Sequence, residues 1–439
     1  MTPARGLSVH FNTTRKLSTW FASMSLCVTL LPGCGSGSTS TPPMDQALAA
    51  RIAPVMTGIM RQYAIPGAGI AVAYQGRLVY ESGYGSSDIA AGTAVMPDTS
   101  FRVASISKAV TGMTILRLFE PELPGALQYK VFGPAGLLPD AAFPDFAGPL
   151  DARVMDITLG DLLEHTSGWQ IDGYDPQFDL VAVARAMGVS APAPARTVIS
   201  YMLKRRTLGA APGTRVQYSN FGYNVLGRII EHKTGKPYAQ AVQETVLRRA
   251  GAGGMFIAGS GAADRAPGES VYYDYAQTEL ASAQDGSGRL GPAAYYSFDF
   301  NTMDAHGGWA ATPGDLVRFA LSVTGTTDLP PLLKPQTVAL MSSRNPSFPS
   351  SPYRLGWDLF TRNGVRTLER GGALTTSTYA FLQIRDDGWT WATIFNRMPV
   401  SSPSDIILED AAKDFSKIQD DLAAAISGTA ASVQSIATK

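Results

Sequence analysis

Strand-like segments lie at the two ends of this chain, and helical segments fill the middle. Near the start, residues 69–74 (GIAVAY) and 78–80 (LVY) flank Gln75-Gly76, a pattern that predicts a β-hairpin. Strand patterns return late, at 366–368, 379–384 and 389–396. Strands must pair to satisfy their backbone groups, so the two ends of the chain have to meet. The order predicts an α/β (α+β) fold, with an antiparallel sheet flanked by helices and a helical domain inserted between its strands.

Helical periodicity sets the expected domain limits. Helices are predicted over 44–63, 105–119, 176–188, 196–204, 222–234, 237–250 and 403–418. We expect one domain over 44–418, in which 44–104 and 296–418 form the sheet part and 105–295 the helical part. The last residues, 419–439, are rich in Ala, Ser and Thr, and a flexible tail is predicted there.

The first 33 residues resemble a lipoprotein-type secretory signal. A basic pair, Arg15-Lys16, precedes a short apolar stretch at 17–31, which is too short and interrupted for a good spanning helix. Leu31-Pro32-Gly33-Cys34 resembles a bacterial lipobox, in which the cysteine is lipidated, although proline is unusual in that position. A plain secretory signal with an incidental cysteine is the alternative. Residues 34–43 are predicted to be a flexible tether.

These features predict a location in the bacterial cell envelope. We expect the protein on the periplasmic side, attached to the membrane by a lipid on Cys34, or else secreted. Formal net charge is +0 at pH 7, so no strong field favours nucleic acid or an anionic membrane. The expected partner is therefore a small-molecule substrate, and membrane contact is expected only through the lipid.

Several kinds of catalytic site are disfavoured by the residue counts. Cys34 is the only cysteine beyond the signal, so a disulfide framework and a thiolate nucleophile are not expected. The four histidines are far apart in sequence and no His-Glu-x-x-His occurs, so a metal site is not expected. No Gly-x-Ser-x-Gly occurs, which argues against a hydrolase elbow with a Ser-His-Asp triad. We expect neither a metal nor another cofactor.

One serine and one lysine are spaced for cooperation. Ser105-Ile106-Ser107-Lys108 holds the only lysine of ten with a serine three residues before it. Residues i and i+3 share a helix face, so Lys108 would lie one turn deeper than Ser105. A buried lysine near other cations can accept a proton, and a helix N-terminus offers free N–H groups to an oxyanion. A surface serine beside a solvated lysine is the alternative, and the pair alone does not exclude it.

A second element follows about a hundred residues later. Tyr218-Ser219-Asn220 is the only Tyr-x-Asn in the chain, and it lies between a turn at Pro212-Gly213-Thr214 and a predicted helix. Tyr218 could hydrogen-bond to Ser105 and relay its proton, while Asn220 could hold a substrate carbonyl. A buried tyrosine next to a helix-capping asparagine is the alternative.

Taken in order, these motifs resemble the serine β-lactamase and penicillin-binding-protein superfamily. The similarity is greatest to its class C-like branch, which includes DD-peptidases and family VIII-type esterases. It covers about 45–418 and includes four more stretches: 65–69 (IPGAG), 162–169 (LLEHTSGW), 218–227 (YSNFGYNVLG) and 307–309 (GGW). The resemblance implies Ser105 as nucleophile, Lys108 and Tyr218 as its proton-transfer partners, and Asn220 as a substrate-binding residue.

The third motif of that superfamily, Lys-Thr-Gly, departs from the pattern here. Lys233-Thr234-Gly235 spells it but stands thirteen residues after Asn220 at a predicted helix end, so we reject it. The expected position is the strand before the last two, at 369–373 (ERGGA). Arg370 then replaces Lys or His, and Gly371 offers no hydroxyl. Arginine can still bind a carboxylate, and the resemblance gives the backbone N–H of Ala373 to an oxyanion hole with Ser105.

Other polar and aromatic residues were weighed for roles in the site. We favour a structural role for His165 and a loop-stabilising role for His306 over roles in catalysis or in lining the cleft. The tyrosine-rich segments 272–275 and 295–296 could wall an apolar pocket or could pack between domains.

The resemblance therefore predicts a serine hydrolase that acts through an acyl-enzyme on an ester, amide or lactam. An esterase or amidase with small acyl substrates is the preferred interpretation. A class C-like β-lactamase or a D-alanyl-D-alanine carboxypeptidase is the first alternative, because Arg370 and Gly371 alter the part of the site that would hold a carboxylate. A non-catalytic, penicillin-binding-like envelope module is the second.

Overall fold

A computed structural model describes residues 44–139, 148–169, 175–274, 280–325, 329–374, 377–400 and 408–428. The described residues from Met44 onward belong to one compact unit. The predicted signal, Cys34 and the tether lie outside the described residues and stay predictions. Within the described ranges, no helix is both long enough and apolar enough to cross a membrane.

Strands from both ends of the chain form the main sheet. The described strands are β1 (Gly67–Tyr74), β2 (Arg77–Asp88), β3 (Thr93–Ala94), β4 (Phe101–Arg102), β5 (Phe256–Ile257), β6 (Leu280–Ser282), β7 (Leu290–Pro292), β8 (Trp309–Ala311), β9 (Tyr353–Arg354), β10 (Trp357–Arg362), β11 (Val365–Leu374), β12 (Thr378–Arg385) and β13 (Trp389–Phe395). Eight of them pair in the order β3-β2-β1-β13-β12-β11-β10-β9, and every pairing is antiparallel. The predicted sheet of two termini is confirmed, because β1 lies directly against β13.

Alternating side chains of β1 serve two different cores. Ala71 and Ala73 belong to the larger core, which the central helices fill. Ile70 and Val72 belong to a second core on the opposite face, shared with aromatic residues of β12 and β13. Since successive strand residues point to opposite faces, an apolar run such as GAGIAVAY is what a sheet covered on both sides requires.

Helices cover both faces of the sheet. They are α1 (Met44–Gln62), α2 (Ser107–Phe119), α3 (Leu159–Leu163), α4 (Leu180–Met187), α5 (Ala195–Arg205), α6 (Asn220–Thr234), α7 (Tyr238–Val242), α8 (Ala293–Tyr296), α9 (Asp304–Gly307), α10 (Pro313–Thr324), α11 (Pro335–Met341) and α12 (Leu408–Ser427). Helices α1 and α12 pack together in the second core, while α2, α6 and α9 pack against one another in the larger core.

The structure departs from the predicted elements in several places, and the predicted helix at 237–250 is α7 followed by a π-helix, Gln243–Leu247. Helix α12 continues to Ser427, so the expected flexible tail from 419 is wrong up to that residue, because Leu422 and Ile426 are buried in the second core. The predicted helix at 176–188 is a 3-10 turn, Pro176–Phe178, followed by α4. Strand β10 and helix α10 were not predicted.

The rejected Lys233-Thr234-Gly235 triplet lies at the end of α6. Gly235 follows the helix with φ +67° and its N–H bonds to the carbonyl of Glu231. This is the left-handed C-terminal cap that glycine adopts without strain. Lys233 lies over the ring of Phe119, with its Nζ 4.0 Å from the centroid. The rejection of this triplet is therefore confirmed.

Candidate active site

Ser105 lies in a short 3-10 helix, Ala104–Ile106, that leads into α2. The residue before it, Ala104, has φ +47°, a left-handed conformation that non-glycine residues rarely adopt. The N–H of Val103 bonds to the carbonyl of Trp309 at 2.9 Å, which ties the start of this turn to β8. The turn therefore holds the half-buried Ser105 at the N-terminal end of α2 in a constrained backbone.

The backbone of strand β11 packs directly against the backbone of the Ser105 turn. A Cβ added to Gly372 would lie 2.2 Å from the carbonyl oxygen of Val103 and 2.9 Å from the nitrogen of Ser105. Real Cβ atoms do not come so close, so only glycine allows this approach. Gly372 thus brings β11 beside the backbone N–H of Ser105.

Lys108 reaches Ser105 from inside the protein. Its Nζ donates to Ser105 Oγ at 3.0 Å and to the carbonyl of His306 at 2.7 Å. The side chain is fully buried. Burial lowers the pKa of Lys108 well below its ordinary value, and the positive charge of Arg370 lowers it further, while Asp175 and Asp358 oppose the shift. A lysine in this setting can lose its proton and act as a base.

Tyr218 completes the contact around Ser105. Its Oη lies 2.7 Å from Ser105 Oγ, and the Nζ of Lys108 lies 4.8 Å from its ring centroid. Burial raises the pKa of the Tyr218 phenol, while the charge of Arg370 and the hydrogen bond with Ser105 act in the other direction. The structure therefore brings Ser105, Lys108 and Tyr218 into one hydrogen-bonded group, as the sequence predicted, and a proton can pass along it.

Two aromatic neighbours fix the position of Tyr218. The His165 ring lies 4.6 Å from the Tyr218 ring, and the Tyr353 ring packs edge-on against His165 at 4.8 Å. Nδ1 of His165 accepts the backbone N–H of Ser219 at 3.1 Å, so that nitrogen carries no proton. Burial lowers the pKa of His165 well below its ordinary value. A buried neutral imidazole away from Ser105 agrees with the structural role that we favoured.

A buried ion pair joins the two segments that carry His165 and Tyr353. Arg354, which follows Tyr353 on β9, pairs with Glu164, which precedes His165, and both side chains are buried. Glu164 also accepts a hydrogen bond from Asn345. The histidine turn and strand β9 are thereby held together, and Tyr218 packs against both of them.

Arg370 lies beside Ser105 but is already paired. Its Nη1 donates to Asp358 at 2.8 Å and its Nε donates to the carbonyl of Ser105 at 3.2 Å. The residue is only 2% exposed. Asp358 comes from β10, the strand that the sequence analysis missed, and burial raises the pKa of its carboxyl. The guanidinium thus enters the site as half of an ion pair, not as a free cation.

Gly371 and Ala373 lie in the part of β11 that no longer pairs with β10. Pairing of β10 with β11 ends at Glu369, whereas pairing with β12 continues to Leu374. This part of β11 therefore has a partner strand on one side only. A Cβ at Gly371 would have nothing within 4 Å, so packing does not demand a glycine there. The substrate-binding roles predicted for Gly371 and Ala373 stay predictions.

Asn220 starts α6 and bonds to a carboxylate that the sequence analysis did not identify. Its Nδ2 donates to Asp175 Oδ2 at 2.8 Å. Asp175 Oδ1 in turn accepts the N–H of Gln177 at 3.0 Å. An aspartate immediately before a proline, as in Asp175-Pro176, predicts a helix N-cap. This sequence pattern does not predict a contact with Asn220. The predicted partner, a substrate carbonyl, would have to use the other amide N–H.

The remaining candidates have packing roles. His306 is buried, its Nε2 lies 3.0 Å from Gln177 Oε1, and its carbonyl holds Lys108. Tyr272 is buried under Arg102, whose guanidinium carbon lies 4.3 Å from the ring centroid. Tyr272 also donates to Glu269, and the hydroxyl oxygen of Tyr295 accepts the Tyr272 N–H at 2.9 Å. These contacts favour packing over a pocket wall, and Tyr275 lies outside the described residues.

Metal-ligating side chains are not grouped in the described part of the chain, where no three His, Cys, Asp or Glu residues cluster.

The comparison with known families decides what kind of protein this is. A family profile described as "Beta-lactamase" matches residues 48–413. This chain belongs to the beta-lactamase family. The predicted β-lactamase/transpeptidase-like fold is therefore confirmed.

Relatives of this beta-lactamase family member include several kinds of protein. Esterase EstB of Burkholderia gladioli is 33% identical over 213 residues, which cover 47% of this chain and 50% of EstB. Protein flp of Staphylococcus aureus strain MW2 is 26% identical over 317 residues, covering 71% of this chain and 55% of flp. The matches thus span about half of each curated relative.

Solved structures agree on the fold. The octameric penicillin-binding protein homologue of Pyrococcus abyssi has a TM-score of 0.60 at 20% identity, covering 84% of this chain and 77% of its own. EstCE1, a hydrolase with promiscuous acyltransferase activity, has a TM-score of 0.59 at 20% identity, covering 84% and 98%. D-amino acid amidase of Ochrobactrum anthropi SV3 has a TM-score of 0.60 at 19% identity, covering 88% and 99%. At such identities the likeness concerns the fold alone.

Proposed function

We propose that this protein is a serine hydrolase that acts through an acyl-enzyme on ester or amide carbonyls. The observation that carries the proposal is the position of Ser105 Oγ, within hydrogen-bond distance of both Lys108 Nζ and Tyr218 Oη. A nucleophile touching a buried, readily deprotonated lysine is an arrangement that activates a hydroxyl. The family assignment and the similarity to EstB support the same reaction class.

The proposed reaction has two halves. Neutral Lys108 takes the Ser105 proton, directly or through Tyr218, as Oγ bonds to the carbonyl carbon. The tetrahedral intermediate collapses, the bond to the leaving group breaks, and the leaving group takes up the proton from the same pair. Water then adds to the acyl-enzyme and gives one proton to the pair. The C–Oγ bond breaks as Ser105 Oγ takes that proton, which releases the acid and restores neutral Lys108. The backbone N–H groups of Ser105 and Ala373 are proposed to hold the oxyanion.

The state of Arg370 favours substrates without a carboxylate next to the scissile bond. Its guanidinium already binds Asp358 and the Ser105 carbonyl, and it is buried. A substrate carboxylate would have to compete with Asp358, and breaking a buried ion pair costs several kcal/mol, about 3–5. We therefore place esterase or amidase activity ahead of β-lactamase or D-alanyl-D-alanine carboxypeptidase activity.

A fluorophosphonate probe tests the nucleophile, since it reacts with activated serines. Wild type and Ser416→Ala, an exposed change on α12, should be labelled, and Ser105→Ala should not. The control serine lies on a helix of the second core, away from the turn at Ser105. An unlabelled wild type would favour a non-catalytic envelope module, and undiminished labelling of Ser105→Ala would exclude Ser105 as the nucleophile.

A chromogenic panel tests the order of activities. Nitrophenyl esters of short acids and simple anilides should be hydrolysed with higher kcat/KM than nitrocefin or a D-Ala-D-Ala peptide. Fast nitrocefin turnover without ester cleavage would contradict this order.

A further inference from the structure

One carboxylate near the reacting residues has no cationic partner among the described residues. Two acids act on the charge of Lys108, namely Asp175 and Asp358. Asp358 is paired with Arg370. Asp175 instead accepts hydrogen bonds from two neutral donors, Asn220 Nδ2 at 2.8 Å and the Gln177 N–H at 3.0 Å. Leaving a partly buried carboxylate without a counter-charge is costly, and such groups are frequent at functional sites.

The contact with Asp175 also fixes what Asn220 can offer. An asparagine amide carries two N–H groups on nitrogen and one acceptor oxygen. Because the nitrogen is directed at Asp175 Oδ2, the acceptor oxygen of Asn220 faces a different direction. Each Asp175 oxygen accepts one of these hydrogen bonds and has a further lone pair to offer. Apart from the second N–H of Asn220, this side of the site therefore presents acceptors, and the best complement of these acceptors is a donor that carries positive charge.

The position of this group relative to Ser105 suggests which part of a substrate it would meet. Asn220 is two residues from Tyr218, whose hydroxyl touches Ser105 Oγ. Asp175 is thus linked to the nucleophile through the side chain of Asn220, a short segment of backbone and the side chain of Tyr218. Asp175 and Lys108 are also close enough for each to alter the pKa of the other. An amino group on the carbon next to the substrate carbonyl would fall within this neighbourhood.

We propose that Asp175 is a specificity-determining residue that binds a protonated amino group on the acyl side of the substrate. The favoured substrates are then α-aminoacyl amides and esters with a free amino group. This inference rests on the proposed function, because it assumes that the acyl group is delivered to Ser105. A hydrogen bond between charged partners contributes about 1.5–3 kcal/mol, which corresponds to roughly 10- to 150-fold in affinity.

A binding experiment tests this without requiring turnover. Ser105→Ala is titrated with alaninamide, N-acetylalaninamide and propionamide, in both alanine stereochemistries, by NMR. Alaninamide should bind at least 10-fold more tightly than the two analogues without an ammonium. Adding Asp175→Asn should abolish that preference, since the amide keeps the shape of the side chain but loses the charge, and its single oxygen can replace only one of the two carboxylate acceptors. Asp179→Asn is the matched control, because Asp179 caps α4 through the Ala182 N–H and asparagine caps equally well.

Kinetics give the second readout. The ratio of kcat/KM for alanine p-nitroanilide to that for propionyl p-nitroanilide should fall roughly 10- to 150-fold in Asp175→Asn and stay unchanged in Asp179→Asn. Equal binding of alaninamide and propionamide to Ser105→Ala, or an unchanged preference in Asp175→Asn, overturns the amino-group site and leaves Asp175 as a support for Asn220. The hydrolase proposal would be contradicted by a separate result, a wild-type protein that the fluorophosphonate probe does not label.

Discussion

Lys108 can take a proton only while its own amine is neutral, and its surroundings decide at which pH that holds. Burial is the main cause of its lowered pKa, and the charge of Arg370 adds to it. The carboxylates Asp175 and Asp358 act in the opposite direction. We therefore expect Arg370 to help keep Lys108 in its basic form without contacting the substrate.

This assignment predicts how pH controls the reaction. The kcat/KM for an uncharged nitrophenyl ester should rise with pH as Lys108 loses its proton, and the rise should lie well below the ordinary lysine pKa of 10.5. Arg370→Gln removes a positive charge, so the pKa of Lys108 should increase and the rising limb should move to higher pH. Asp358→Asn removes a negative charge, so the limb should move to lower pH.

The opposite signs make the test independent of general damage to the fold. Arg370→Gln leaves Asp358 buried without its partner, so the double variant with Asp358→Asn should be measured beside it. Lys233→Ala, at the end of α6, should leave the limb where it is in wild type. Limbs that move in the same direction in both single variants would contradict the electrostatic role of Arg370.

At the level of residues, the family motifs predicted which of their own residues meet, but not the partners that lie outside the motifs. Ser105, Lys108 and Tyr218 are joined as the order of motifs predicted. Asp358 was missed because a carboxylate is uncommon in strands and its strand was not recognised. Asp175 was missed because it belongs to none of the motifs, and only the folded structure shows that it meets Asn220.

At the level of elements, the active site depends on two backbones that touch. Gly372 of β11 leaves no room for a side chain against the turn that holds Ser105, whereas the Cβ position at Gly371 is open. The two adjacent glycines therefore offer a matched pair of substitutions on the same strand. Neither has a positive φ, so alanine is acceptable to the backbone at both.

Gly372→Ala should displace β11 from the Ser105 turn. A shift of about 1 Å in a catalytic group can cost about 100-fold in rate, so labelling of Ser105 and ester hydrolysis should fall by that order. The melting temperature should fall as well, because Val103 and Ala104 must move. Gly371→Ala should keep the wild-type melting temperature, as its methyl group meets open space. Equal melting temperatures for the two variants would contradict the close approach at Gly372.

The elements were predictable where one periodicity dominated. The terminal hairpin, α1 and strands β11 to β13 follow patterns of apolar residues that a covered sheet and its helices require. Strand β10 (WDLFTR) mixes charged and aromatic residues, since it carries both Asp358 and Arg362 into ion pairs. Periodicity cannot identify such a strand, because its polar residues are matched by partners on other elements.

At the level of the whole molecule, the first and last helices close the outer face of the sheet together. Helix α1 packs on α12, and Arg51 Nη2 donates to the carbonyl of Ile426 at 3.2 Å. Tyr63 donates to Asp414 Oδ1 at 2.9 Å. Their apolar residues share the second core with Ile70, Trp391 and Phe395. The Ser105 turn lies on the other face, where Val103 and Ile106 belong to the larger core, so the sheet divides the second core from the candidate site.

This division predicts a change that weakens the fold and spares the site. Leu422 of α12 is fully buried in the second core, and Leu422→Ala would leave a cavity there. The free energy of unfolding should fall by about 2–5 kcal/mol, measured by urea denaturation. Lys413→Ala, exposed on the same helix, should stay within about 0.5 kcal/mol of wild type.

Below the denaturation midpoint, Leu422→Ala should still be labelled at Ser105 at the wild-type rate. A Leu422→Ala protein as stable as Lys413→Ala would show that α12 does not stabilise the fold through this core, and a lost labelling rate in the folded protein would show that the two faces of the sheet are coupled.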